Sequence, residues 1–143
     1  DEVFGPLPSM RVVIAHAGGS GGFGPWPRSV LETLATWLAS EQAAGRPRRG
    51  FFVDLSTVPL IRESDGLPPS TEEEIAALAP IVRRIGLEHV LFASDYPVFD
   101  PRDQAVFLRE RCGFTEEELA TIFAASILNS HLRSLDSTGA QWQ

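Results

Sequence analysis

The sequence predicts an α/β domain in which parallel strands are joined by helices. Three short and nearly continuous apolar runs, at residues 11–15, 51–55 and 89–93, have the composition of strands buried on both faces. Segments with helical spacing separate these runs and follow the last of them. Strands and helices that alternate in this order form a parallel sheet with right-handed crossovers. The alternation alone does not distinguish an open sheet from a barrel.

Composition and charge narrow the classes of function. The 143 residues are 43% hydrophobic and 22% charged, which is typical of a single globular domain. The formal net charge of -7 disfavours binding to nucleic acid or to anionic membranes. Because all 12 basic residues are arginines, the sequence excludes a Schiff-base lysine, a phosphate-loop lysine and a carboxylated lysine between two metals.

Neither a membrane segment nor a cysteine-based site is predicted. No apolar run approaches the roughly 20 residues that span a bilayer, and the first ten residues do not resemble an export leader, so we expect a cytoplasmic protein. The single Cys112 excludes an internal disulfide, and its amphipathic surroundings predict packing rather than nucleophilic chemistry. Residues 1–133 are expected to form one domain, and residues 134–143 a mobile tail.

Local signals set the ends of the first two helices. The first helix has Pro27 in its opening turn and ends near Gly45. The second begins at Ser70 or Thr71, which forms a capping box with a glutamate three positions later. Pro80 removes a backbone hydrogen bond within the second helix, so we expect a kink or a break there.

Two further helices are predicted after the third strand. Asp100 and Pro101 are suited to open the first of them, which should end near Gly113. Thr115 and Glu118 form another capping box and open the last helix. The predicted order is therefore strand, helix, strand, helix, strand and two helices.

The candidate site lies at the carboxyl ends of the strands, where parallel α/β folds bind their ligands. His16 ends the first strand and Asp95 follows the third. With strands about 4.8 Å apart, both side chains could reach one metal ion or water, which Asp95 would bind while the imidazole transfers protons. Alternatively, His16 is a core histidine bonded to a loop carbonyl, and Asp95 caps the turn made with Pro97. The residues alone leave both interpretations open.

Other polar residues and glycines give weaker signals. Asp54 ends the second strand, whose alternation leaves this side chain facing either the interior or a helix, so it is a candidate supporting residue. Gly19, Gly21 and Gly24 match a dinucleotide-binding pattern. Two prolines interrupt the approach to the helix, and Asp54 lies 30 residues beyond Gly24 rather than about 20, which argues against that function. The other two histidines are expected to be structural.

Three segments resemble the amidohydrolase-related family. They are residues 12–19 (VVIAHAGG), residues 91–97 (LFASDYP) and residues 127–129 (ILN) in the final helix. The family, which includes metal-dependent hydrolases and nonoxidative decarboxylases, is built on a (β/α)8 TIM barrel. The resemblance covers residues 8–132 and implies that the three strands are the sixth, seventh and eighth of such a barrel.

The resemblance also implies roles at the site. Asp95 would be a metal ligand, usually to zinc, and His16 would be the acid–base residue beside the metal or a second ligand. The loop at residues 58–69 would overhang the site, with Arg62 placed for a substrate carboxylate. Phe23 and Trp26 would line the site. A solvated Arg62 without a substrate is the alternative.

The family pattern is incomplete in this chain. The family's paired histidines on the first strand and its histidine on the fifth have no counterpart here. Zinc takes about four ligands, and a complete barrel needs about 250 residues. An incomplete barrel exposes strand edges and apolar surface. We therefore expect a homo-oligomer or a complementing N-terminal half-barrel as partner, in addition to a small-molecule substrate.

Two functions are favoured by these patterns. The first is the C-terminal part of an amidohydrolase-like, metal-dependent hydrolase or nonoxidative decarboxylase that acts on a small organic acid, ester or amide. The second is a noncatalytic half-barrel that serves as an interaction or structural protein. A dinucleotide-binding domain is the least favoured alternative.

Overall fold

A small parallel sheet organises the fold. The computed structural model describes residues 11–46, 50–58, 60–61, 64 and 66–125. Strand β1 (Val12–Ile14) pairs in parallel with β2 (Phe51–Asp54), which pairs in parallel with β3 (Val90–Leu91). The spatial order β1-β2-β3 follows the order along the chain. The predicted α/β class and the parallel pairing are therefore confirmed.

Helices connect the strands and follow the sheet. Helix α1 (Pro25–Ala43) joins β1 to β2, and α2 (Glu72–Ile85) joins β2 to β3. Helices α3 (Pro101–Glu110) and α4 (Glu116–Ala124) come after β3. This arrangement has the predicted order of elements and is compatible with part of a TIM barrel.

Side-chain caps begin three of the helices as predicted. Thr71 accepts a hydrogen bond from the N–H of Glu74, and the Glu74 carboxylate accepts one from the N–H of Thr71. Thr115 and Glu118 repeat this capping box at α4. Asp100 caps α3 through its carboxylate. A cap of this kind typically stabilises a helix by about 1 kcal/mol.

Pro80 does not break α2. Of the kink or break expected here, the break is wrong, because the helix runs without interruption through this residue. Pro80 cannot donate to the carbonyl of Ala76, four residues earlier, but both residues are exposed. Water can therefore satisfy that carbonyl, and the exposed position makes the proline tolerable.

The hydrophobic core lies between the sheet and the helices. Helix α1 packs against α2. The rings of Trp37 and Phe51 meet edge to face with centroids 4.6 Å apart, and those of Phe92 and Phe123 do so at 4.8 Å. Each helix, together with the residue after β2, contributes completely buried aliphatic side chains. The largest of them are Leu31, Leu55, Leu78, Leu108, Leu119 and Ile122.

Strand β1 forms an exposed edge of the described sheet. Val13, at the centre of this strand, is 40% exposed, whereas Phe51, Phe52 and Val53 of β2 are buried. The prediction of a strand buried on both faces is therefore confirmed for β2 and wrong for β1. Within the described residues, β1 pairs with β2 alone, which leaves its other side open.

Some predictions concern residues outside the described ranges. They are the tail at residues 134–143, the family-like segment at residues 127–129 and the structural role of His131. None of the helices that the structure describes is long and apolar enough to cross a membrane.

Candidate active site

Strained backbone marks the carboxyl ends of all three strands. Four non-glycine residues of the described chain have positive φ angles: His16 (52°) and Ala17 (51°) after β1, Thr57 (59°) after β2 and Asp95 (65°) after β3. A left-handed conformation costs an L-residue roughly 1–2 kcal/mol, and such residues cluster at active sites and ligand clamps. The strain therefore points to the edge of the sheet that the sequence predicts for the site.

The imidazole of His16 is anchored through Nδ1. His16 lies in a short 3-10 turn, Ala15–Gly18, directly after β1. Its Nδ1 is 3.0 Å from the Oγ of Ser56, 3.2 Å from the Oγ1 of Thr57 and 3.4 Å from the carbonyl oxygen of Ser56. Ser56 and Thr57 are buried, whereas His16 is partly exposed. His16 thus joins the loop after β1 to the loop after β2.

Asp54 organises the same region with one carboxylate oxygen. Its Oδ1 accepts the backbone N–H of His16 at 2.9 Å and the backbone N–H of Ser56 at 3.1 Å, and it also accepts the Ser56 hydroxyl. A hydrogen bond to a charged group stabilises a protein by about 1.5–3 kcal/mol. We call His16, Asp54, Ser56 and Thr57 the histidine corner.

A buried glutamine of α3 holds the loop that carries Ser56 and Thr57. The Nε2 of Gln104 donates to the carbonyl of Leu55 at 2.7 Å and to that of Val58 at 2.6 Å. The side chain is completely buried, and its Oε1 has no hydrogen-bond partner among the described residues. Since the two carbonyls flank Ser56 and Thr57, this amide fixes the loop from both ends.

The glycine-rich loop after β1 closes onto the neighbouring loops. The N–H of Gly22 donates to the carbonyl of Thr57 at 3.0 Å, and that of Phe23 donates to the Oγ of Ser70 at 2.7 Å. Gly22 has a φ of 69°, and a Cβ there would lie 2.8 Å from Ile61, so glycine is required. Amides that make these internal bonds are not free to cradle a pyrophosphate, which disfavours the dinucleotide-binding alternative.

Asp95 lies in a solvent-exposed turn after β3. Asp95, Tyr96 and Pro97 are all exposed, and the peptide bond between Tyr96 and Pro97 is cis. The turn is closed by the N–H of Val98, which donates to the Asp95 carbonyl at 2.8 Å. Hydrogen bonds and ion pairs among the described residues do not involve the Asp95 carboxylate. The turn therefore uses the backbone of Asp95 and leaves its side chain to solvent or a ligand.

The three predicted substrate contacts are placed differently. Trp26 is 70% exposed, and its Nε1 donates to the carbonyl of Gly18 at 3.0 Å, which sets the indole beside the loop after β1. Phe23 is completely buried in the core, so a substrate could reach it only if the loop rearranged. Arg62 lies outside the described residues, and its role stays a prediction.

An apolar groove of about 410 Å³ lies between α1 and the first two strands. The groove is formed by α1 together with residues of β1 and β2. Aromatic and aliphatic side chains make most of its lining, and two hydroxyl residues of α1 complete it: Ile14, Trp26, Val30, Leu34, Trp37, Phe51, Ser29 and Thr33. The groove gives this part of the fold an apolar surface next to β1, which pairs with β2 alone among the described residues.

Two residues with potential chemistry lie elsewhere. His89, in the 3-10 turn Leu87–His89 before β3, has its Nδ1 2.7 Å from the carbonyl oxygen of Phe51, as expected for a structural histidine. Cys112 is buried, and burial raises the pKa of its thiol to about 12. The thiol is therefore neutral near pH 7 and unsuited to act as a nucleophile.

Sequence reasoning does not find Ser56, Thr57 or Gln104. The bonds that define them join residues 40 to 49 positions apart, and no local motif marks such partners. One usable signal is the alternation of Phe52, Asp54 and Ser56, because residues two apart on an extended chain share a side of the strand.

Comparisons with known proteins agree with the resemblance seen in the sequence. A family model described as amidohydrolase matches residues 1–125, which include all the described strands and helices. Neither a comparison with curated proteins nor one with solved structures gives a match.

Proposed function

The chain belongs to the amidohydrolase family, and we propose that it forms the C-terminal part of a metal-dependent hydrolase or nonoxidative decarboxylase. Family membership indicates hydrolase-type chemistry. The observation that supports the proposal is that His16 and Asp95 both lie on strained backbone at the carboxyl edge of one parallel sheet. We propose a small organic acid, ester or amide as substrate.

His16 is the residue for proton transfer. Imidazole changes its protonation near neutral pH, and a positioned acid–base group accelerates a reaction by about 10²–10⁴-fold. The contacts of Nδ1 with Ser56 and Thr57 hold the ring in place. Trp26, exposed beside the same loop, offers an aromatic surface to a bound substrate.

Asp95 and His16 have suitable donor atoms for a divalent metal, which members of the family generally use. The fit is partial, because no group of three or more His, Cys, Asp or Glu side chains comes together among the described residues, whereas zinc takes about four ligands. The remaining ligands have to come from elsewhere in the enzyme. When bound, the metal would act as a Lewis acid and lower the pKa of a bound water.

Metal content, mass and turnover test the proposal together. The chain, alone and mixed with an N-terminal half-barrel of the family, is analysed for zinc and manganese, sized by light scattering, and assayed for ester and amide hydrolysis and for release of carbon dioxide. His16→Gln and Asp95→Asn should each lower turnover by about 10²-fold or more, and Asp95→Asn should also lower bound metal. His89→Gln and Asp103→Asn, which lie outside the site, are the matched controls. A complex of the two halves that binds no metal and shows no turnover contradicts the proposal.

The groove beside β1 favours a second candidate, a noncatalytic half-barrel that pairs with another chain. Parallel sheets are normally covered on both faces. Within the described residues, however, β1 has an open edge, and Ile14, Trp26 and Trp37 line an apolar groove next to this strand. A further strand–helix unit of the same fold fits this surface, since its strand would extend the sheet while its helix filled the groove. We propose such a complementing unit as the occupant.

Two arginine substitutions on α1 test this pairing. Thr33→Arg places a charge in the groove, whereas Ala39→Arg places one on an exposed part of α1 outside it. Light scattering of the chain mixed with an N-terminal half-barrel of the family should show a complex that Thr33→Arg abolishes and Ala39→Arg preserves. Self-association with the same sensitivity would identify a second copy as the occupant instead. A chain that stays monomeric alone and in the presence of the N-terminal half-barrel contradicts both occupants.

A further inference from the structure

We propose that Asp54 and Ser56 are positioning residues that hold the imidazole of His16 in the tautomer protonated on Nδ1. These roles rest on the proposed function, because His16 is the residue to which proton transfer is assigned there. They add to it by fixing which ring nitrogen carries the lone pair. The tautomer follows from which groups of the histidine corner donate a proton and which accept one.

The hydroxyl proton of Ser56 is donated to Asp54. A serine hydroxyl has one proton, and an ionised carboxylate only accepts. The Oγ of Ser56 bonds to Oδ1 of Asp54 on one side and lies 3.0 Å from Nδ1 of His16 on the other. Because its single proton goes to Asp54, the serine oxygen accepts from His16, and Nδ1 therefore carries a hydrogen.

The other neighbours of Nδ1 agree with this assignment. The carbonyl oxygen of Ser56, 3.4 Å away, can only accept, and the Oγ1 of Thr57, 3.2 Å away, can do so. A neutral imidazole has one N–H, so a hydrogen on Nδ1 leaves the lone pair on Nε2. Among the described residues, the hydrogen bonds of the His16 ring are made through Nδ1. Nε2 is thus the atom that takes a substrate proton or binds a metal.

Asp54 holds the main chain of His16 as well as its ring. The same Oδ1 that receives the Ser56 hydroxyl also accepts the backbone N–H of His16 at 2.9 Å. One oxygen therefore fixes both the left-handed backbone of His16, at a φ of 52°, and the hydroxyl that orients its ring. Ser56 is buried, so solvent does not compete for that hydroxyl.

Nitrogen-15 NMR of the metal-free chain reports the tautomer directly. At alkaline pH, where the imidazole is neutral, long-range proton–nitrogen correlation should give Nδ1 of His16 a pyrrole-type shift and Nε2 a pyridine-type shift. The signals are assigned by their loss in His16→Gln. A pyridine-type Nδ1 in the wild-type chain overturns the proposal, whatever the variants show.

Substitutions of Ser56 test the part played by its hydroxyl. Ser56→Ala should move both nitrogen shifts of His16 toward the averages of mixed tautomers, and Ser56→Thr, which keeps a hydroxyl, should restore the wild-type pattern. Ser40→Ala removes an exposed hydroxyl from α1 and is the matched control. An unchanged tautomer in Ser56→Ala overturns the positioning role. If that variant does not fold, Asp54→Ala gives the same test, because it removes the oxygen that accepts the Ser56 proton.

The NMR result is separate from turnover. The predicted tautomer in a chain without metal or activity would support the positioning roles even though the proposed function had failed. The opposite tautomer in an active enzyme would overturn the positioning roles and leave the proposed function intact.

Discussion

The loop after β2 is closed by burial and hydrogen bonds, whereas the loop after β3 is open to solvent. Ser56 and Thr57 are buried and bonded to His16. Tyr96 is 78% exposed and Val98 is 37% exposed. Each loop nevertheless contains a non-glycine residue in the left-handed region. The same kind of backbone strain is thus supported by side chains in one loop and by a single backbone turn in the other.

This difference matches the two kinds of chemistry proposed for the site. A group that transfers a proton has to keep its orientation, and the histidine corner holds His16 from two sides. A carboxylate that binds a metal has to be accessible, and Asp95 is exposed. His16 is therefore oriented by its neighbours within the chain, whereas no hydrogen bond among the described residues orients the carboxylate of Asp95.

The largest expected effect on stability distinguishes the carboxylate of Asp54 from that of Asp95. Asp54→Asn keeps the size of the side chain but removes the charge that strengthens its bonds to His16 and Ser56, so it should lower the free energy of unfolding by about 2 kcal/mol. Asp95→Asn should change it by less than about 0.5 kcal/mol. Urea denaturation of the metal-free variants gives both values. Equal losses would contradict the contrast between the loops.

A matched pair of valines tests burial without touching any polar group. Val58, completely buried after β2, and Val98, in the loop after β3, can each be replaced by alanine. Val58→Ala should cost about 2 kcal/mol, from lost apolar burial and the cavity left behind, and Val98→Ala less than about 0.5 kcal/mol. The midpoints of thermal and urea unfolding report both. Similar losses would mean that the second loop is packed more tightly than its exposure indicates.

The smallest expected effect lies away from both loops. Arg83 of α2 donates to Glu118 of α4 at 2.6 and 2.9 Å, and this pairing lowers the pKa of Glu118 to about 2. Because the folded-state pKa is depressed, the stabilisation is present above about pH 4.5 and is lost as the pH falls toward 2. Glu118→Gln should cost under about 1 kcal/mol at neutral pH, since Arg83 is partly exposed.

The control for that substitution is Glu117→Gln, which removes a charge from the same helical turn without touching Arg83. The difference between wild type and Glu118→Gln should shrink on acidification to pH 2, measured by urea unfolding at a series of pH values. A difference that does not change with pH would contradict a contribution from the charge of Glu118, which bonds both to Arg83 and to the N–H of Thr115.

Local chemistry explains why most of the elements could be predicted from the sequence. The capping boxes at Thr71 and Thr115 and the cap at Asp100 involve residues within three positions of one another. Such signals carry their own physical cause, so the starts of α2, α3 and α4 follow from them. The end of an element depends on tertiary contacts. For this reason β3 is limited to Val90 and Leu91 although the apolar run is longer.

Long-range contacts explain what the sequence could not predict. The apolar composition of residues 11–15 indicates a buried strand, but whether Val13 is covered depends on a neighbouring strand that composition does not specify. The anchoring of His16 depends on Ser56 and Thr57, about 40 positions away. The family resemblance predicted His16 and Asp95 and could not predict what orients them, because its motifs lie on β1 and β3 while the orienting residues follow β2.

Gln104 has a consequence for communication across the sheet. Its amide bonds the loop after β2 to helix α3, and α3 is the element into which the Asp95 loop leads. A shift of α3 therefore has one of two results. Either the carbonyls of Leu55 and Val58 move with Gln104, or each loses its buried hydrogen-bond donor at a cost of about 1–3 kcal/mol. Ligand binding at Asp95 that moves α3 would reach His16 through this linkage, and the two halves of the site would then respond to a ligand as one unit.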